Sequence, residues 1–204
     1  MIVCPDLQSK LAELYTAKKA VPREVNLFGL RDPSRQKDDV FNDYFGLWIP
    51  GRNICMVTLA TTDPGVKATN ENEGGAAHLD AGFQPRIWAK DMHAASVPSF
   101  AHMAFCSRKE KGCFPTRIWR DRDRDTQLGD RDVCESGYYG MNGHRASALR
   151  DEKGIGLYSY GCQVVQHKGD FDAIMAATAE VVGMDYIYDY MILMREELWI
   201  EAVK

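Results

Sequence analysis

The chain has no apolar run approaching the roughly 20 residues that a membrane-spanning helix needs, so membrane insertion is not expected. It has no basic surplus either: 25 Lys and Arg stand against 29 Asp and Glu, a formal net charge of −4. Without a basic stripe to neutralise phosphates, a nucleic-acid partner is not expected. Repeats, low-complexity segments and linkers are missing. The 204 residues therefore read as one domain, long enough to bury a core without metal or disulfide staples. The N-terminus, MIVCPDLQSKLAELYTAKKA, has no charged region followed by a long apolar one. With no secretory signal visible, the protein is expected in the cytoplasm on synthesis. Histidine is scarce, HExxH is absent, and His78, His93, His102 and His167 share no metal-ligand spacing.

Cysteine is not scarce. Cys4, Cys55, Cys106, Cys113, Cys134 and Cys162 could form three disulfides in an oxidising compartment, but without a signal free thiols are the expectation. The gap between Cys106 and Cys113 is too long for a zinc knuckle, and no second Cys/His pair completes a tetrahedral set. Most of these thiols read as small buried hydrophobes.

Periodicity predicts a mainly β (α+β) fold with two peripheral helices. Residues 7–20 carry Leu7, Leu11, Leu14 and Tyr15 on one helical face, and Val21-Pro22 ends that helix. Phe45–Ile49 and Ile54–Ala60 read as strands joined by the Pro50-Gly51-Arg52-Asn53 turn. Asp63-Pro64-Gly65 marks another turn, and 66–82 reads as a polar, Gly-rich surface loop. Phe83–Lys90, Phe100–Cys106 and Thr116–Trp119 are further strand candidates. A second helix spans Phe171–Val182, with Asp170 as N-cap, Gly183 beyond its end, and a stripe of Phe171, Ile174, Met175, Thr178 and Val182. Period-two alternation from Tyr186 to Met194 predicts a closing strand over 185–195. Residues 1–36 read as a helical extension and 37–195 as the core.

The segment HRASALRDEKGIGLYSYGC carries the chemistry. Fourteen residues separate His144 from Ser159, and Ser159-Tyr160-Gly161-Cys162 follows at once. A cysteine attacks as its thiolate, and a neighbouring imidazole is the usual device for generating one. Gly before Cys permits a tight bend whose N–H groups can face a developing oxyanion. A His144 that reaches Cys162 would make the chain a cysteine acyl-transfer enzyme.

This pattern resembles the L,D-transpeptidase signature, a His followed after about fourteen to seventeen residues by [Ser/Thr]-His-Gly-Cys. The order His-then-Cys is the reverse of papain-like and NlpC/P60-type peptidases. A looser likeness over roughly residues 40–195, through DRDRDTQLGDRD, GYYGMNGHRAS, SYGCQVV and DFDAIM, is to small single-domain phage and prophage proteins with this core. The resemblance implies an L,D-transpeptidase-like β-sandwich or barrel. It makes Cys162 the nucleophile, His144 its base, Gly161 with the Cys162 N–H the oxyanion hole, and Ser159 an aid in orienting His144. It also implies peptidoglycan stem peptides as the partner, with the acyl group passing to an amine or to water. The chain departs from the signature at Tyr160, where the family has a second His, and at Gln163-Val164, where it has a hydrophobic residue and then Arg or Asn. Tyr160, His93, Lys90 and Arg86 are the candidate substrate contacts, the last two through charge-assisted bonds to a carboxylate.

Ahead of His144, Asp121, Asp123, Asp125 and Asp132 fall at positions 1, 3, 5 and 12 of a calcium-loop spacing, with Thr126 at the glycine position and Gln127 at position 7. The chemistry needs no cofactor, so calcium here would be structural. A phage-lysin-type hydrolase acting on the wall after release is the leading expectation. A cross-linking transpeptidase, a non-catalytic wall-binding or virion protein, and a zinc-dependent lysin are the alternatives.

Overall fold

A computed structural model describes residues 2–3, 7–32, 39–125, 129 and 132–198. In chain order the elements are β1 (Ile2–Val3), α1 (Leu7–Ala17), β2 (Asn26–Arg31), β3 (Asp43–Ile49), β4 (Ile54–Thr61), α2 (Val66–Glu71) and β5 (Ala76–Leu79). They continue as β6 (Gly82–His93), β7 (His102–Cys106), β8 (Thr116–Asp121), β9 (Val133–Gly137), β10 (Gly143–Arg145), β11 (Gln163–Val165), α3 (Lys168–Val182) and β12 (Ile187–Met194). The fold is mainly β, with a closed eight-strand barrel. Strands run β4-β11-β10-β7-β6-β12-β2-β3, and β3 pairs back onto β4. Closure leaves these strands no free edge. β1 adds outside β4, and β5-β8-β9 form a separate three-stranded sheet.

Alternation sorts the apolar residues into two clusters. Leu27, Phe45, Leu47, Trp88, Phe105, Val165, Tyr190 and Ile192 meet in the main core, which Phe171 and Ile174 of α3 complete. The opposite parity of β2, β3, β4 and β12 (Phe28, Leu30, Trp48, Val57, Met191) packs against Leu11 and Tyr15 of α1. The expected apolar face of α1 is thus the buried one, and the hairpin of β3 and β4 forms where the Pro50 turn puts it.

Four expectations need correction. Residues 66–82 are not a surface loop: they hold α2 and β5, whose Ala76, Ala77, His78 and Leu79 are all buried against β8. Pairing and burial there override weak local propensity. The α-helices among the described residues consequently number three, not two. The 1–36 stretch is no extension to the core, because β2 lies inside the barrel between β12 and β3. Finally, α3 starts at Lys168, ahead of Asp170, whose carboxylate accepts the Thr58 hydroxyl at 2.5 Å instead of capping the helix. Cys4, Thr126 and Gln127 lie outside the described residues.

Candidate active site

His144 and Cys162 are joined by topology. β10 and β11 run parallel, with His144 opposite Val164 and Gly143 opposite Gln163. Parallel neighbours need a long crossover, and here 146–162 supplies it, delivering Cys162 to the threshold of β11. Cys162 precedes Val164 by two residues and packs with it, Ala146, Ile155 and Tyr158 in one small apolar cluster. Continued one residue beyond the ladder, this register sets Cys162 level with Asn142, two positions from His144, and alternation turns both side chains towards the same face.

The bend carrying Cys162 is built from buried hydrogen bonds. Gly161 sits at φ +123, and a Cβ there would lie 2.2 Å from the Ala77 carbonyl oxygen. Only glycine fits that combination. Ser159 Oγ lies 3.0 Å from the Asp63 carbonyl oxygen and 2.8 Å from that of Cys162, and it accepts the Gly161 N–H at 3.2 Å. Ser159 thus braces the bend itself and does not bond His144. The Gly161 N–H, spent on Ser159, leaves the Cys162 N–H as the amide of the expected pair for an oxyanion. Gln163 is fully buried: its Nε2 donates to the Thr62 and Gly161 carbonyls, and its Oε1 accepts the Tyr190 hydroxyl at 3.1 Å. Its departure from the family pattern is a structural brace.

His144 is oriented by its own strand. Nδ1 lies 2.7 Å from the Arg145 carbonyl oxygen, an acceptor, so the proton belongs on Nδ1 and the Nε2 lone pair is free. That is the tautomer a general base requires. The His93 ring stacks on it at 4.1 Å between centroids, and His102 meets His93 edge-on at 5.3 Å. Asn142 ties this group to the thiol. Its Oδ1 accepts the Ser107 N–H, which fixes its Nδ2 as donor to His93 Nδ1, and its own N–H reaches the Cys162 sulfur.

Electrostatically the resting pair is neutral. Burial, and then the neighbouring His93, lower His144 to about 3. Burial, followed by His102, lowers His93 to about 4. Burial pushes the Cys162 thiol up to about 11 against the smaller pull of the Asn142 N–H. The thiol donates to the Gly140 carbonyl at 3.5 Å.

Of the expected substrate contacts, His93 lines the cleft beside His144. Tyr160 is about half exposed, with its hydroxyl 3.3 Å from Glu71 Oε2. Lys90 is corrected: it is buried, and its ammonium donates to the Met175 carbonyl at 2.9 Å. Arg86 is corrected too, since its guanidinium stacks 5.3 Å over Phe114, outside the cleft. Both had the right charge for a carboxylate, but strand parity turned them towards other partners. Arg145 and Asn142 were missed, because residues flanking a motif carry no separate pattern, and His102 reaches the cleft only through the pairing of β7 with β6 and β10.

Among the described residues, the His, Cys, Asp and Glu side chains whose ligand atoms converge within 4.8 Å in a group of three or more are Asp121, Asp123 and Asp132. Asp125 stands apart from them, its N–H donating to Asp121 Oδ1 at 3.2 Å. Asp132 accepts the Arg122 and Gly129 N–H groups, and the three carboxylates could hold a hard cation such as calcium. His93 and His144 stack face to face, His102 meets both edge-on, and among the described residues the three imidazoles form no converging group of ligand nitrogens, which is unlike a zinc site. His78 lies elsewhere, buried between Asp63 (2.8 Å) and Trp119. The five described cysteines are free thiols. No described helix is long and apolar enough to cross a membrane. No family model, curated protein or solved structure matches this chain.

Proposed function

We propose that the protein is a cysteine hydrolase of peptidoglycan stem peptides, with Cys162 as nucleophile and His144 as base. The observation that supports this reading is the parallel register of β10 and β11, with His144 opposite Val164 and Cys162 two residues ahead of Val164, at the entry to β11. His144 Nε2 takes the thiol proton as sulfur attacks the peptide carbonyl. The Cys162 N–H holds the oxyanion, and the Asn142 N–H steadies charge on the sulfur. Collapse expels the amine, which takes the proton back from His144. Water, deprotonated by the same Nε2, then attacks the thioester and releases the carboxylic acid and the thiol. Calcium at Asp121, Asp123 and Asp132 would brace β8, away from this chemistry. A cytoplasmic lysin-type protein acting on the wall after release fits this reading.

The test is digestion of purified cell wall by wild type and by Cys162→Ala, with mass spectrometry of the products. Cleavage by wild type alone supports the proposal. New cross-linked dimers would make the acceptor an amine and the enzyme an L,D-transpeptidase. The engagement of the thiol with Gly140 favours a second reading, a non-catalytic wall-binding or virion protein, in which Cys162→Ala changes nothing.

A further inference from the structure

Beside His144 opens a cleft of about 530 Å³, lined by the imidazoles of His93, His102 and His144, by Arg145, and by apolar residues that include Val97, Phe100, Ala146, Leu157 and Tyr158. That volume lies within the range usual for small-ligand sites. Val97, Phe100 and Leu157 are large apolar side chains left exposed at its walls. Ala146 and Tyr158 line the cleft and also belong to the small apolar cluster against which Cys162 packs, which puts the thiol behind the cleft wall. Within this apolar surround Arg145 is 8% exposed. Its one recorded hydrogen bond runs from Nη1 to the Ala146 carbonyl at 3.3 Å, and no described carboxylate pairs with it. The nearby acidic groups are engaged elsewhere: Glu152 with Arg150, Asp151 with His167 and Asp172 with Lys168. The imidazoles around it hold no compensating charge. An uncompensated buried cation is costly unless an anion joins it, and a guanidinium fork matches a carboxylate in two parallel bonds.

We infer that Arg145 is a carboxylate-binding residue, and that the cleft selects peptides presenting a carboxylate next to the bond that Cys162 attacks. This rests on the proposed hydrolase reading for the identity of the peptide, but not for the anion site itself. Arg145 confers specificity by fixing the anionic end of the ligand while the apolar walls take the adjoining side chain.

The experiment uses the full-length Cys162→Ala protein, which binds without turnover. Calorimetric titration compares the stem tetrapeptide L-Ala-γ-D-Glu-meso-diaminopimelate-D-Ala as the free acid with three forms, each amidated at one carboxylate: the terminal, the glutamyl or the diaminopimelyl group. One amidation is expected to weaken binding roughly 10- to 100-fold, as for loss of a charge-assisted bidentate pair, and it identifies which carboxylate docks. Arg145→Gln should erase the difference between acid and amide, and Arg145→Lys should keep part of it. Equal affinities for the acid and all three amides would overturn the inference. N-acetyl-D-alanine, followed through the histidine ring signals by NMR, separates the two proposals. Shifts at His93 and His144 that Arg145→Gln abolishes sustain the anion site even if the tetrapeptide is no ligand. Absence of shifts together with an inert tetrapeptide refutes it. The acid–amide comparison on the Arg145-containing protein stands even if Arg145→Gln fails to fold.

Discussion

Alkylation of Cys162 as a function of pH tests the neutral resting state directly. With its thiol pushed up to about 11, the thiolate fraction at pH 7 is on the order of one part in ten thousand. His144, lowered to about 3 by burial and by His93, stores no proton to offer an ion pair. The second-order rate with iodoacetamide, resolved by peptide mapping, should then rise roughly tenfold per pH unit from pH 6 to 10 without a shoulder. Cys134, exposed on β9, is the internal reference, and Cys162 should lag behind it at pH 7. A thiolate–imidazolium pair would instead give a plateau from about pH 5 to 8 with Cys162 the faster thiol, and that result would refute the neutral state. Slow labelling does not argue against catalysis, because the proton is to be transferred only when a carbonyl arrives to take the charge. Replacement of Asn142 by Gly offers a second perturbation. Losing its carboxamide link to His93 while keeping the N–H at the sulfur should change wall digestion more than alkylation.

Gly161→Ala meets both a left-handed backbone and the Ala77 carbonyl at 2.2 Å, so it should cost at least about 3 kcal/mol in urea unfolding; a cost under about 1 kcal/mol would mean the bend is misdescribed. Trp88 Nε1 donates to the Met141 carbonyl at 2.6 Å, and Trp88→Phe should cost about 1–3 kcal/mol by leaving that buried acceptor unpaired, with wall digestion falling as the strand start at Asn142 loosens. His93 and His144 are harder to protonate folded than unfolded, where 6.5 applies. Their contribution is complete above pH 6.5 and is lost as pH falls towards about 4 and 3; thermal melts of His93→Gln should show a shallower acid decline, and an unchanged one would remove His93 from the cause. Calcium should raise the Tm of chelator-treated protein by a few degrees, and Asp123→Asn should abolish the rise, while chelation leaves wall digestion unaltered; a Zn²⁺-restorable loss of digestion would replace thiol by metal chemistry.

Much of the frame was legible. The 3.6-residue stripe of Leu11 and Tyr15, the β3–β4 hairpin around Pro50, and the alternation of β12 each carry a local signal long enough to read. β10 and β11 do not: at three residues each they have no period, and only the barrel between β7 and β4 makes them strands. His144 and Cys162 stood out by residue type and spacing, and the cleft lining holds His144 and His93. Arg145 was invisible, since what marks it is that no carboxylate among the described residues pairs with it, which is a property of space and not of sequence. Lys90 and Arg86 erred for the same reason.

The crossover 146–162 separates two kinds of inheritance in this chain. β10 and β11 are interior staves, each hydrogen-bonded on both flanks, so the position of His144 relative to Gln163, the residue after Cys162, is a fixed property of the ladder. The intervening segment brings Ala146, Leu157 and Tyr158 to the cleft while leaving Leu149 almost wholly in solvent. Loop length is thermodynamically inexpensive to change. Insertions and substitutions there could reshape the cleft while β10 and β11 stay in register, so that the walls drift and the frame that holds His144 does not.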